Sequence, residues 1–223
     1  MPNRDLDVAM IRAFTRPIPL VLALAFCTFI PVMMATVRVV QIPLGALPED
    51  SLRLASAPVA LFFHSLAGAL FGVSGPLQFV RAVRRRFGAL HRLAGRVFVL
   101  AGAALAVSGL ALLMQVESIT TGVLDTARGV FGLALIAALV LGAAAARTHD
   151  MRRHRAWMIR GYAIGMGAGT QVVVFIPWVL IVSLPGEMAR ALLLGAGWAI
   201  NLMLAEWWIS RQGRRKKVQV AAA

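Results

Sequence analysis

Cysteine, acidic residues and charge are all scarce in this chain of 223 residues. The single cysteine, Cys27, excludes an internal disulfide. Charged residues make up only 14% of the chain, against about a quarter of an ordinary soluble domain. Hydrophobic residues make up 60%, and a soluble core in so short a chain cannot hide this apolar excess. The composition therefore indicates a membrane protein that crosses the bilayer several times.

The motifs of common soluble enzymes are also missing. No group of His, Cys, Asp and Glu has the spacing of a zinc site, and no glycine-rich phosphate loop precedes a helix. No serine stands in a nucleophile elbow. Asp125 and Glu206 are predicted near opposite membrane faces, which argues against a carboxylate pair for acid–base catalysis. No catalytic residue is therefore assigned, and whether the chain is an enzyme stays open.

Long apolar runs dominate what is present. A spanning helix needs about 20 residues, whereas membrane β-strands have about 10 and alternate in polarity. We therefore predict an all-α integral membrane protein, a bundle of about six transmembrane helices. The fourth run is the shortest, and would begin near Gly122 if Asp125 and Arg128 pair one turn apart. The predicted spans are Ile18–Val40, Pro58–Val80, Leu93–Met114, Gly129–Ala146, Ala156–Leu184 and Met188–Ile209.

Basic residues are unevenly distributed among the loops. They concentrate before the first span, in the second and fourth loops and after the last span, whereas acids collect in the other loops. The positive-inside rule then predicts that both termini are cytoplasmic. The expected organisation is an N-terminal cytoplasmic arm (1–17), one transmembrane helical domain (18–209) and a basic cytoplasmic tail (210–223). We expect the tail to be disordered and to face lipid.

The net charge of +14 raises the question of partners. Because the basic residues lie between apolar spans rather than on one soluble face, the charge indicates anionic lipids on the cytoplasmic face and not nucleic acid. Oligomeric state and any partner subunit stay open.

Two basic loops each carry a His-Arg pair with a further arginine. They read His91-Arg92-Leu93-Ala94-Gly95-Arg96 and His154-Arg155-Ala156-Trp157-Met158-Ile159-Arg160. Each His-Arg pair precedes a span that starts on the cytoplasmic side of the membrane, so His91 and His154 are expected at similar membrane depth. Arginines beside an aromatic ring at headgroup depth suit a phosphate, and polar groups inside spans are candidate sites. The candidate ligand-binding residues are His64, Gln78, His91, Arg92, Arg96, His154, Arg155, Trp157 and Arg160.

Four functions fit this pattern. In the leading hypothesis, the His/Arg cluster on the cytoplasmic side binds an anionic group. The second is a b-type haem redox protein in which His91 and His154 ligate the iron, with His149 as a substitute. The third is a small transporter in which His64, Gln171 and Asn201 face one cavity as a polar path. The fourth is an assembly or scaffold role.

Several of these residues occur together in one known family. His64, the run Gly75-Pro76-Leu77-Gln78-Phe79, an arginine cluster and the two His-Arg motifs resemble the predicted bacterial membrane proteins of domain-of-unknown-function family 2306. The resemblance covers roughly Pro58 to Gln171, about half the chain. It implies a multi-pass protein of the bacterial inner membrane, with no established reaction or cofactor to carry over. It therefore supports the location of a site without naming its chemistry.

Overall fold

Helices make up the regular structure of the computed structural model, which describes residues 18–118 and 122–221. Side chains are described there except at 18–27, 50, 81–82 and 212–221. The predicted N-terminal arm (1–17) lies outside the described residues. The helices are α1 (Ile18–Gln41), a 3-10 helix (Glu49–Ser56), α2 (Pro58–Phe79), α3 (Arg81–Arg86), α4 (Gly88–Gln115), α5 (Gly122–Arg147), α6 (Met151–Gly165), α7 (Gly167–Ile181) and α8 (Glu187–Ala221).

Several helices have the length and composition of membrane spans. α2, α4, α5 and the Glu187–Arg211 part of α8 each meet both criteria, and α6 and α7 meet them together as a pair bent by 41°. α1 coincides with the first predicted span, although its described apolar part, Thr28–Gln41, is shorter than a span. The predicted all-α membrane class is confirmed with four to five spans, and the count of six stays a prediction.

Some helix boundaries differ from those expected. α4 begins at Gly88, so His91 lies in its first turn. α5 begins at Gly122, and Arg128 lies 3.0 Å from Asp125, which confirms the earlier start of the fourth span. α8 continues to Ala221, so the expectation of a disordered tail is wrong. The Arg and Lys residues of the tail are good helix formers, and no proline interrupts them.

The predicted fifth span is two helices with a break at Met166. None of the prolines inside the described helices lies at this break, since Pro31, Pro76 and Pro177 are inside α1, α2 and α7. At the break, α8 supplies side chains instead. Asn201 Nδ2 donates to the Ala163 carbonyl at 3.0 Å. This hydrogen bond accounts for the position of the bend, since an inserted side chain can replace a backbone bond of the helix ladder.

Aromatic rings packed against glycines hold α2, α4 and α6 together. Phe71 is fully buried and stacks on Phe98 with 4.4 Å between ring centroids. A Cβ on Gly75 would lie 2.1 Å from the Tyr162 ring, and a Cβ on Gly165 would lie 2.4 Å from Phe71. Small residues at such crossings allow the close helix contact on which packing in a membrane depends. This core lies directly beside the end of α2 that carries Gln78.

Gly75→Ala should destabilise the protein, because the new methyl group overlaps the buried Tyr162 ring. We expect the free energy of unfolding in mixed micelles to fall by about 1–3 kcal/mol. Gly195→Ala is the control, since nothing lies within 4 Å of that Cβ and alanine favours a helix interior by up to about 1 kcal/mol. Equal effects of the two substitutions would contradict the packing described for Gly75.

Candidate functional site

The basic end of the bundle is the region where α2 ends, α4 and α6 begin and α5 ends. Here Gln78 of α2 lies against α4, so that a Cβ on Gly95 would be 3.3 Å from its Oε1. His91 lies one helical turn before Gly95, on the same face of α4. Arg84, Arg92 and His154 are within electrostatic range of His91. The structure therefore brings Gln78, His91, Arg92 and His154 of the predicted site into one region.

Two buried nitrogen atoms at this end have no hydrogen-bond partner in the described part of the chain. They are Gln78 Nε2 and His91 Nδ1. An amide nitrogen always donates, and an imidazole nitrogen donates when it carries the proton. Leaving such a group buried and unpaired costs about 1–3 kcal/mol. Unpaired buried groups are uncommon in folded proteins, so each of these two nitrogens is a candidate contact for a ligand atom.

His154 is held by a different contact. Its Nδ1 lies 2.8 Å from the Gly142 carbonyl, and because a carbonyl only accepts, Nδ1 is the donor. Asp150 caps α6 by accepting a hydrogen bond from the Arg153 backbone N–H at 2.9 Å. His149 precedes it in the turn with a φ of 60°. These contacts fix the position of the His154 ring.

Arg160 is committed to another helix. Its guanidinium donates two bonds to the Glu206 carboxylate, from Nε at 2.6 Å and from Nη2 at 2.9 Å. The same group lies 4.8 Å from the Trp157 ring centroid. The sequence pattern places Arg160 and Trp157 in one candidate anion site, and the pairing of Arg160 with Glu206 is not among its predictions. The signal that could have found it is an acid inside an apolar segment, which needs a basic partner.

The remaining arginines of the predicted set lie on the surface. The side chains of Arg92, Arg96 and Arg155 are exposed. Arg92 curls back over the start of α4, where a Cβ on Gly88 would be 3.4 Å from its Nη1. These groups contribute positive charge around Gln78 and His91 without being buried beside them.

His64 lies at the opposite end of the bundle. It precedes Gln78 by 14 residues on α2, about 21 Å at about 1.5 Å per residue. Together with Gln171 it lines a cavity of about 370 Å³. Asn201 is not among the lining residues and instead bonds Ala163 and Thr170. The structure therefore separates His64 from the basic cluster and brings only two of the three polar-path residues to one cavity.

The structure brings His91 and His154 to the same end of the bundle, and the haem hypothesis, with these two histidines as iron ligands, stays a prediction. Gln78 fills the space beside Gly95, and a Cβ on Gly142 would lie 2.1 Å from the Met158 Cε. Among the described residues there is no group of three or more His, Cys, Asp or Glu side chains that could hold a metal ion.

The ordered motifs along α2, α4 and α6 lie within a match to a known protein family. A family model described as predicted membrane protein (DUF2306) matches residues 61–209. The chain belongs to this family. The match confirms the resemblance and extends it beyond Gln171 through most of α8, so that it includes Asn201 and Glu206. Neither the curated proteins nor the solved structures contain a match to the DUF2306 chain.

The pairing of Arg160 with Glu206 can be measured by a double-mutant cycle with Arg160→Gln and Glu206→Gln. Both side chains are partly exposed, at 27% and 52%, so we expect a coupling free energy of only about 0.2–1 kcal/mol that falls with added salt. Arg152→Gln combined with Glu206→Gln is the matched control and should be additive. Additivity of the first pair at low salt would show that the ion pair does not form.

Proposed function

We propose that this DUF2306 protein is a multi-pass protein of the bacterial inner membrane that binds a phosphate-like anion at its basic end. Gln78 and His91 would donate hydrogen bonds to the anion, and Arg92 and His154 would surround it. The observation that carries the proposal is the pair of buried nitrogens, Gln78 Nε2 and His91 Nδ1, without a partner in the described residues.

The local charge supports an anion rather than another acceptor. The charged groups that act on His91 are Arg84, Arg92 and His154, all of them basic. A cleft lined by charge of one sign attracts ligands of the opposite sign. A phosphate oxygen accepts several hydrogen bonds and donates none when ionised, so one such group would satisfy both unpaired nitrogens.

The exposed arginines of the predicted set contribute differently. Arg92, Arg96 and Arg155 are exposed, so salt screens them more than the buried donors. Arg160 is engaged by Glu206 and is left out of the proposed site. The discrimination between an anion and a neutral ligand would therefore come from Gln78 and His91, with the arginines raising the local anion concentration.

Gln78→Leu tests this assignment because two measured quantities should move in opposite directions. Removing an unpaired buried amide should leave the free energy of unfolding unchanged or raise it. Losing a hydrogen bond to a charged ligand, about 1.5–3 kcal/mol, should weaken anion binding about tenfold or more. The probes are inorganic phosphate and short-chain phosphatidic acid, each titrated calorimetrically into protein in neutral detergent at fixed salt.

Arg152→Gln is the control, since it removes an exposed positive charge near the same end and should weaken binding by less than about threefold. Phosphate binding alone would indicate a soluble ligand, and phosphatidic acid binding alone a lipid headgroup. Equal losses in the Gln78 and Arg152 variants would mean that diffuse charge binds the probe. A Soret band lost on His91→Ala would instead support the haem hypothesis.

The proposal places the basic end in the cytoplasm. The loops at this end carry most of the arginines, which the positive-inside rule assigns to the cytoplasmic face. A C-terminal fusion to green fluorescent protein should therefore fluoresce in bacteria, whereas a fusion to alkaline phosphatase should be inactive. The opposite pair of results would reverse the orientation and with it the side from which the anion binds.

A further inference from the structure

The cavity lined by His64 lies at the end of the bundle opposite the proposed anion site. Its volume is about 370 Å³, at the lower end of the range of about 300–1,000 Å³ typical of small-molecule sites. Its wall is mostly apolar and includes the Phe131 and Trp198 rings, which stack with 4.6 Å between centroids. The uncharged polar residues in this wall include His64 and Gln171.

The contacts of His64 determine which ring nitrogen carries the proton. Nδ1 lies 3.1 Å from the Leu105 carbonyl and 3.3 Å from Ser108 Oγ. The carbonyl only accepts, and the Ser108 hydroxyl already donates to the Ala104 carbonyl at 2.6 Å. Nδ1 is therefore the donor, and Nε2 of the neutral ring is an acceptor. The polar atom that His64 has left to offer the cavity is this unprotonated nitrogen.

Gln171 is oriented in a similar way. Its Nε2 donates to the Leu194 carbonyl at 2.9 Å, which leaves Oε1 as the atom that can meet a ligand. Gly197 lies close enough that an added Cβ would be 2.6 Å from Gln171 Cγ, so α8 holds the side chain in place. The cavity therefore presents hydrogen-bond acceptors from two helices, α2 and α7.

The charged residues that line the cavity balance one another. Arg53 and Arg128 are basic, and Glu117 and Asp125 are acidic. Arg128 pairs with Asp125 at 3.0 Å. Arg53 Nη1 donates to the backbone carbonyl of Glu117 at 3.4 Å, a contact that joins the two residues without pairing their charges. Equal numbers of opposite charges give no preference for an ion of either sign. A neutral ligand fits this lining better than a charged one.

We propose that this cavity binds a small neutral amphiphile of the alkylphenol class. Its hydroxyl would donate to His64 Nε2 or Gln171 Oε1, and its ring and alkyl chain would pack against the apolar wall with Phe131 and Trp198. Aromatic ligands gain from offset or edge contacts with such rings. This site does not depend on the anion site at the basic end.

The discriminating probes are 4-butylphenol and 4-butylanisole, which share a ring and chain but differ in the hydroxyl donor. Saturable binding is measured by calorimetry in detergent, with protein-free micelles subtracted. We expect the phenol to bind about tenfold more tightly than its methyl ether, because a buried acceptor left unpaired disfavours the ether. His64→Leu should reduce this ratio severalfold, and His64→Gln, which keeps an acceptor, should retain more of it.

Two further variants separate the cavity from nonspecific uptake. Ala168 lines the cavity, so Ala168→Phe should abolish binding of both probes. Ala137→Phe makes the same change at an exposed position of α5 that does not line the cavity, and should bind as wild type does.

Equal affinity for the two probes, no saturable binding, or an unchanged ratio in a folded His64→Leu variant would overturn the proposal. Phosphate binding by the His64→Leu variant is measured as well, and it shows whether the basic end is intact. A negative result for the cavity can therefore be told apart from a negative result for the anion site.

Discussion

Close packing of α2, α4 and α6 around the Phe71 ring is the contact on which the rest of the structure depends. Gly165 admits this ring and Gly75 admits Tyr162, so the helices approach more closely than larger side chains would allow. In a membrane, apolar side chains gain little from leaving lipid for a protein interior, and packing of this kind therefore carries much of the association. The same contact fixes how α2 lies against α4. It thereby sets the positions of Gln78 at one end and His64 at the other.

Several polar side chains of the bundle form a hydrogen bond or ion pair with a neighbouring helix. Two nitrogen atoms at the basic end do not. Asn201 bonds the carbonyl at the helix break, Gln171 bonds Leu194, and Arg160 pairs with Glu206. Each contact joins two helices and satisfies a group that lipid cannot satisfy. Gln78 Nε2 and His91 Nδ1 lack such partners among the described residues. Groups left unpaired in an otherwise satisfied interior favour a binding role over a structural one.

The sites that we propose at the two ends of the bundle therefore call for different ligands. At the basic end Gln78 Nε2 is a donor and the charged groups near His91 are arginines, which favours an anion. At the opposite end His64 and Gln171 present acceptors, and the charges around them cancel. One helix, α2, carries a key residue of each site, about 21 Å apart at about 1.5 Å per residue. A movement of α2 would affect both sites, although each is defined by its own contacts.

The sequence by itself determined the membrane class, the helical fold, the family and the early start of α5, because these follow from local composition and spacing. It also singled out Gln78, His91 and His64 as candidate site residues, and these stay predictions. Only the tertiary structure decided their grouping. The bend at Met166 depends on Asn201 of another helix, and Arg160 is engaged by Glu206, 46 residues away. His64 and His91 both belong to the ordered set of family motifs, but they lie at opposite ends of the bundle. Such contacts depend on how each helix is rotated and at what angle it crosses its neighbours. Side-chain packing between distant segments sets this geometry, so no local pattern in the sequence encodes it.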